Sequence, residues 1–178
     1  MKTFNGDLFD QQMNGADAIV ITTNGFVKKN GKAVMGRGVA ETISKLMPLV
    51  PVLLGEKLLS EGNHVHDLGM SYNCGHLVSF PVKPEKTICE KGCLNVVKHM
   101  RWSFKFGDEV PGWASVASLD LIVQSLKELV ELTNKKDWKR VVLPLPGCGA
   151  GELMEEDILP ILQKELDDRF ILIRKKAI

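Results

Sequence analysis

Apolar runs of strand length alternate along this chain with segments in which apolar residues recur at helical spacing. The predicted strands lie at residues 2–5, 17–23, 75–82, 141–145 and 170–173. The run at 141–145 is apolar almost throughout, as in a sheet that is covered on both faces. The alternation predicts a single α/β domain in which a mixed or mostly parallel sheet lies between helical layers.

Three helices are predicted between these strands. The first ends at Pro48, and the second begins at Ser118, whose side chain can cap its first turn. The third begins near Met154, and Pro160 within it marks either a kink or the true start of the regular helix. The apolar positions at helical spacing are Val39, Ile43, Leu46 and Met47 in the first helix, and Leu119, Ile122, Val123, Leu126, Leu129 and Val130 in the second.

Residues 84–116 are only weakly patterned. We interpret them as an insertion or lid, with some helix at about 93–101. Trp102 lies within this region and Trp113 near its end. Either ring is expected to cover a ligand, to close a crevice or to anchor the segment by hydrophobic packing.

Charge and apolar content exclude several classes of protein. A chain of 178 residues with a net charge of +1 and no dense basic block is not expected to bind nucleic acid in general through phosphate contacts. Its longest apolar stretches fall short of the ~20 residues that cross a bilayer. The first seven residues have no apolar signal-peptide core, which predicts a cytoplasmic protein.

The four cysteines are expected to be free thiols, because the chain is large and has no secretion signal. A zinc site made by Cys74, His76, Cys89 and Cys93 is the alternative, but their spacing matches no common zinc finger or ribbon. We therefore predict neither a metal nor a cofactor.

Two glycine-rich loops follow two of the predicted strands. The sequence TTNGFVKKNGKAVMGRGVA occupies residues 22–40, and GCGAG occupies residues 147–151. In an open α/β sheet, ligands bind beyond the carboxyl ends of the strands. Glycine lets backbone N–H groups approach an anion, and helix N-termini add further donors. The pair predicts a diphosphate site in one crevice, although each loop alone is also typical of a tight strand-to-helix turn.

Neither loop matches a general nucleotide-binding motif. Gly31-Lys32 lacks the Ser or Thr that follows the lysine of a Walker A motif, and residues 147–151 contain no lysine. Gly36-Arg37-Gly38 is followed by Val-Ala-Glu, which breaks the Rossmann fingerprint.

Together these segments resemble the macrodomain, a three-layer α/β/α fold with a mixed central sheet that binds ADP-ribose. The resemblance covers residues 1–83 and 117–173 and is greatest to the branch that removes ADP-ribose from glutamate or from DNA thymidine. Phe80-Pro81-Val82-Lys83 is closely similar to a Phe-Pro-x-Lys motif of the DNA-acting members. The other matching segments are GDLF at 6–9, DAIV at 17–20 leading to Asn24, VMGRGVA at 34–40 and LPLPGCG at 143–149.

The resemblance implies a role for each matching position. Asp7 would accept a hydrogen bond from the adenine amino group, with the Leu8 backbone beside it, and Asn24 would hold hydroxyls of the distal ribose. Cys148 is expected to be a small wall residue rather than a nucleophile. The residues implied to surround the distal ribose and the diphosphate are Gly36, Arg37, Gly38 and Val39 on one side, and Gly147, Cys148, Gly149, Ala150 and Gly151 on the other.

Lys83 is the residue on which an enzymatic function depends. In one hydrolase of this branch a lysine attacks the anomeric carbon, and an aspartate in the second glycine loop assists it. Here the corresponding place reads Ala150-Gly151-Glu152 without that aspartate. Lys83, with Asn24 fixing the ribose, would therefore act alone or with Glu152, unless Lys83 is simply a solvated lysine.

The resemblance thus implies hydrolysis of ADP-ribose from a protein, a nucleic acid or a 1″-phosphate at the distal ribose C1″. The alternative is a non-catalytic module that binds ADP-ribose or a related metabolite. A further alternative is an unrelated nucleotide-binding α/β protein that shares only the chemistry of its loops.

Overall fold

The computed structural model describes residues 1–10, 15–73 and 75–174. The candidate zinc ligand Cys74 lies outside these ranges. In the described ranges no group of three or more His, Cys, Asp or Glu side chains is placed to hold a metal ion. His76 is instead paired with the carboxylate of Asp67 over 3.0 Å.

A six-stranded mixed sheet forms the centre of the fold. Its order is β1-β8-β7-β2-β4-β3, and only the pairing of β3 with β4 is antiparallel. The strands are β1 Lys2–Asn5, β2 Ala18–Asn24, β3 His66–Tyr72, β4 Gly75–Lys83, β7 Val141–Pro144 and β8 Phe170–Arg174. The prediction of a mixed, mostly parallel sheet is therefore confirmed.

Two helices cover each face of the sheet. Side chains alternate between the faces of a strand, so neighbours in β2 enter different cores. Ile21 packs with α1 (Gly38–Leu46) and α2 (Val50–Glu61), whereas Val20 packs with α3 (Leu119–Lys135) and α4 (Glu155–Glu165). The architecture is the predicted three-layer α/β/α arrangement.

The helix starts follow from local chemistry. Ser118 caps α3 by accepting a hydrogen bond from the Leu121 N–H, as predicted. The structure decides between the two interpretations of Pro160: α4 begins at Glu155, and Pro160 lies inside it rather than at its start.

The helix α2 and the strand β3 were not predicted. Gly55 of α2 lies so close to the carbonyl oxygen of Gly31 that any Cβ would collide with it. The Ala33 N–H also donates to the Pro51 carbonyl oxygen over 2.8 Å. The helix thus supports the first glycine-rich loop from behind by backbone contact.

Residues 84–116 form a small unit, hereafter the 84–116 segment. It contains a two-stranded antiparallel sheet, β5 (Lys86–Ile88) with β6 (Glu109–Pro111). The helix predicted at about 93–101 is confirmed only in part, because the segment forms short 3-10 helices at Lys91–Cys93 and Lys98–Ser103. Its separate core consists of Cys89, Cys93, Val96, Val110 and Ala114, with Met100 and Phe104 packed against it.

In the described part of the chain no single helix is long and apolar enough to span a membrane. The helices α1 and α2 meet that criterion only when counted together, and they are bent by 119° relative to each other.

Candidate functional site

Both glycine loops lie on one cavity of about 760 Å³ beyond the carboxyl ends of β2, β4 and β7. Every residue that the sequence predicted for the site lines this cavity: Asp7, Leu8, Asn24, Gly36, Arg37, Gly38, Val39, Lys83, Gly147, Cys148, Gly149, Ala150 and Gly151. The parallel strands explain this convergence, since their carboxyl ends meet at one edge of the sheet.

The first loop presents an uncapped helix N-terminus to the cavity. Arg37 is the N-cap residue of α1, and its side chain makes no capping hydrogen bond. The first N–H groups of the helix therefore have no partner within it. A Cβ on Gly36 or Gly38 would meet no protein atom within 4 Å, so packing does not require glycine there.

The second loop is packed more tightly. A Cβ on Gly147 would lie 2.9 Å from Ile122 and Leu153 side-chain carbons, and one on Gly151 would lie 2.6 Å from the Ala117 Cβ. Gly149 between them has no such contact within 4 Å. Gly147 and Gly151 thus shape the loop, and Gly149 leaves space towards the cavity.

Cys148 is poorly suited to act as a nucleophile. Burial, together with the nearby carboxylates of Glu155 and Asp157, raises the pKa of its thiol to about 11. Its sulfur donates to the Pro146 carbonyl oxygen over 3.6 Å. Because the thiolate is the reactive form, the arrangement fits a wall residue.

Asn24 holds the shape of the first loop. Its Nδ2 donates to the Val34 carbonyl oxygen over 2.9 Å, and its Oδ1 accepts from the Phe26 N–H over 2.9 Å. One N–H and one lone pair remain for a ligand, because an amide side chain offers two of each.

Asp7 and Leu8 line another part of the cavity. Asp7 is exposed, and its Oδ1 accepts from the Phe9 N–H over 2.8 Å in a local turn. Leu8 is buried against Ile19, Val142 and neighbouring residues, which fixes the turn to the sheet.

Lys83, at the end of β4, is buried at the cavity wall with only 7% of the residue exposed. Its Nζ donates to the Ala150 carbonyl oxygen over 2.8 Å and to the Trp113 carbonyl oxygen over 3.5 Å. The pKa of this amine is lowered to about 8, chiefly by burial and also by the nearby charge of Arg37, while Glu152 acts in the opposite direction. Among the described residues no carboxylate forms an ion pair with Lys83. The interpretation of Lys83 as a solvated lysine is wrong.

Glu152 does not line the cavity. Its backbone has a φ of +60°, and its carboxylate accepts a hydrogen bond from the Lys98 N–H over 2.9 Å. The residue that was considered as an acid–base group thus ties the second glycine loop to the 84–116 segment.

The 84–116 segment forms part of the cavity mouth through His99, Met100 and Trp113. Trp113 is 39% exposed and lines the cavity beside Lys83, whereas Trp102 lies outside it. Sequence reasoning missed His99 and Met100, because nothing in their pattern indicates that they fold back towards Lys83.

No protein-family model matches this chain, and no curated protein sequence is significantly similar to it. Several solved structures have a similar fold. The macrodomain of Mycobacterium tuberculosis DarG superposes with a TM-score of 0.65 at 19% identity, over 99% of this chain and 97% of that one. The macrodomain of Thermus aquaticus DarG gives 0.66 at 18% identity, over 99% and 97%.

A third similar structure is Thermosipho africanus DarTG in complex with ADP-ribose, with a TM-score of 0.69 at 17% identity. The match covers 99% of this chain but only 43% of that one.

Proposed function

The chain has the macrodomain fold, and from this premise we propose that it binds ADP-ribose in the crevice between its two glycine loops. One neighbour of this fold was solved with ADP-ribose. A cavity of about 760 Å³ has the size usual for a ligand of this class. The single observation that carries the proposal is the convergence of both loops on this cavity.

The chemistry of the two loops fits a diphosphate. The uncapped N-terminus of α1 offers N–H donors with a partial positive charge. Gly36 and Gly149 leave space for the ligand to approach the backbone from either side. Arg37 is exposed at the cavity and adds a full positive charge. The remaining donor and acceptor of Asn24 would hold the distal ribose, and Asp7 would hold the adenine amino group.

We further propose that the protein hydrolyses the bond between C1″ of the distal ribose and its acceptor. The C1″–acceptor bond breaks, a water oxygen bonds to C1″, and the proton of that water reaches the acceptor. Lys83 is the candidate catalytic residue, because an amine with a pKa of about 8 exists in both protonation states near neutral pH. Backbone N–H groups and the lysine would stabilise the charge that develops on the departing acceptor, so that the reaction needs no metal.

Binding without turnover is the second candidate function. No carboxylate of the described residues pairs with Lys83, and Glu152 is held by the Lys98 backbone. A hydrolase would then lack the second catalytic group that the resemblance associates with glutamate-linked substrates.

Calorimetric titration with ADP-ribose, AMP and NAD tests the binding site. We expect ADP-ribose to bind at least about tenfold more tightly than AMP, a difference of about 1.4 kcal/mol, because AMP lacks the second phosphate and the distal ribose that would reach both loops. Equal affinities would contradict the site.

Turnover of ADP-ribosylated protein, ADP-ribosylated DNA and ADP-ribose 1″-phosphate tests the reaction. We expect one of these substrates to be consumed, and Lys83→Met to lower kcat by about 10²-fold or more. Lys127→Met is the matched control, since that lysine is exposed on α3. Binding of ADP-ribose without any turnover would assign the second candidate function.

A further inference from the structure

Two cysteines lie against each other in the core of the 84–116 segment. Cys89 is fully buried, and Cys93 is 9% exposed. Both are free thiols, and the Cys89 Sγ donates a hydrogen bond to the Cys93 Sγ over 2.7 Å. The Cys93 Sγ in turn donates to the Phe104 carbonyl oxygen over 3.4 Å. The two sulfur atoms are therefore in direct contact inside a buried core.

A tight turn brings these sulfur atoms together. Gly92 and Cys93 both have a positive φ, of +75° and +51°. Residues other than glycine rarely adopt this left-handed conformation, so the surrounding structure must hold the backbone at Cys93. The Cys93 N–H donates to the Glu90 carbonyl oxygen over 2.8 Å, and the Glu90 N–H donates to the Asn95 Oδ1 over 3.0 Å. The fold of the segment thus imposes the contact between the two thiols.

The core around the two thiols is small. Besides the cysteines it consists of Val96, Val110 and Ala114, with Met100 and Phe104 packed against it. Protein units with little apolar core are commonly held together by covalent cross-links. A bond between Cys89 and Cys93 would strengthen this segment where apolar packing is sparse.

We propose that Cys89 and Cys93 are a reversible modification site, at which a low-molecular-weight disulfide oxidises the two thiols to an intramolecular disulfide. The Cys93 thiolate attacks one sulfur of the small disulfide, whose S–S bond breaks and releases one small thiol. The Cys89 sulfur then attacks the Cys93 sulfur and displaces the second small thiol. The protein gives up two electrons and two protons, and both small thiols leave with them.

Burial decides which of the two thiols reacts first. Cys93 is the more exposed residue, whereas Cys89 has no contact with solvent. Burial, together with the hydrogen bond to Cys93, raises the pKa of the Cys89 thiol well above its usual range. Because the thiolate is the attacking form, Cys89 does not start the exchange near neutral pH. It acts as the resolving thiol, after Cys93 has formed the mixed disulfide.

The disulfide would act on the mouth of the crevice through Met100. Met100 packs against the core that holds the two cysteines, and it also lines the cavity. Closing the loop between Cys89 and Cys93 removes conformations that the opened segment would otherwise adopt. The oxidised segment should therefore open less often. This effect does not depend on which ligand the crevice takes.

Equilibration of the unaltered protein in glutathione buffers, from fully reduced to fully oxidised, tests the site. Free thiols are blocked with N-ethylmaleimide after acid quenching, and tryptic peptides are identified by mass spectrometry. Trypsin cuts after Lys91, between the two cysteines, so the disulfide joins two peptides that are otherwise separate. We expect half of the protein to carry the joined peptides while reduced glutathione is still in excess, because the thiols are already in contact.

Single variants test the order of attack. Cys89→Ser lacks the resolving thiol and should accumulate glutathione at Cys93. Cys93→Ser should accumulate at least about tenfold less glutathione at Cys89, since that thiol is buried and protonated. Peptide mapping locates the glutathione in both variants.

Limited proteolysis with trypsin measures the effect on the segment. Lys98 and Lys105 are exposed cleavage sites within it. We expect the oxidised protein to be cut there about tenfold more slowly than the reduced protein, because cleavage requires the segment to open. Cys89→Ala/Cys93→Ala is the matched control, and its rate of cleavage should not respond to the glutathione buffer.

Three results would overturn the proposal: no joined peptides in fully oxidised buffer, glutathione at Cys89 as readily as at Cys93, or equal cleavage of the oxidised and the reduced protein. The first and the third are measured on the unaltered protein, so they decide the matter even where a variant does not fold.

Discussion

The two glycine loops look alike in sequence, yet the structure uses their glycines differently. In the first loop a Cβ on Gly36 would meet no protein atom within 4 Å. In the second loop a Cβ on Gly151 would collide with the Gly147 carbonyl oxygen and the Ala117 Cβ. Gly151 of the second loop therefore serves the fold, whereas Gly36 of the first loop leaves space for something outside the protein.

The largest expected effect of a substitution is on stability in the second loop. Gly151→Ala should lower the free energy of unfolding by about 3 kcal/mol, because backbone atoms must shift to admit the methyl group. Urea denaturation measures this change. Gly149→Ala is the matched control and should change the value by less than about 0.5 kcal/mol. If the two variants lost the same free energy of unfolding, the distinction between a packed Gly151 and an open Gly149 would be wrong.

The next effect is a pH dependence of stability at Lys83, which donates to the second loop. Its pKa is about 8 in the folded protein, against an ordinary value of 10.5. Between these values the unfolded chain binds more protons, so the contribution of Lys83 to stability rises with pH and is lost as the pH falls through about 8.

Comparison with Lys83→Met, which cannot titrate, isolates this contribution. Between about pH 7 and pH 10.5, the free energy of unfolding of the unaltered protein should rise by about 3 kcal/mol relative to that of the variant. Urea denaturation of both proteins across this range measures it. If the difference in unfolding free energy between the two proteins did not vary with pH, the Lys83 amine would be fully hydrated in the folded protein.

In the first loop the expected loss is one of binding. Gly36→Ala should reduce the affinity for ADP-ribose about tenfold, because the added methyl group holds the ligand away from the backbone. Its free energy of unfolding should stay within about 0.5 kcal/mol of the unaltered value. Calorimetry and urea denaturation give the two numbers. If Gly36→Ala were destabilised and still bound ADP-ribose, Gly36 would serve the fold and not the ligand, contrary to the comparison.

The smallest expected effect concerns the tie between the second loop and the 84–116 segment. Glu152→Gln keeps an acceptor for the Lys98 N–H but removes the charge, and should cost about 1 kcal/mol of stability. It should also lower the pKa of Lys83 further, since Glu152 opposes the effect of burial there. A titration of turnover or of ADP-ribose binding against pH would detect this shift, and an unshifted profile would contradict it.

Much of the fold could be predicted because periodicity reports which face of an element is buried. The alternation of Val20 and Ile21 between two cores and the capped start of α3 at Ser118 are local properties of the sequence. The convergence of both loops on one cavity followed from the geometry of parallel strands. Lys83 and the residues implied to surround the ligand consequently line the cavity, whereas Glu152 does not.

What could not be predicted depends on contacts between distant segments. The strand β3 shifts register between Asp67 and Ser71 and includes Gly69 at a φ of +64°, which breaks the strand period. The 3-10 helices of the 84–116 segment are too short to show any period. The hydrogen bond from the Lys98 N–H to the Glu152 carboxylate joins residues far apart in the chain, and no sequence spacing predicts it.

The contact between Gly55 and Gly31 has a consequence for protein engineering. The helix α2 does not line the cavity, yet it abuts the backbone of the first loop with no room for a single methyl group. We expect a substitution at position 55 to displace Gly31 and, through it, the part of the first loop that lines the cavity. A library aimed at new ligand preferences should hold this glycine constant and diversify the opposite rim, where His99 and Met100 border the opening.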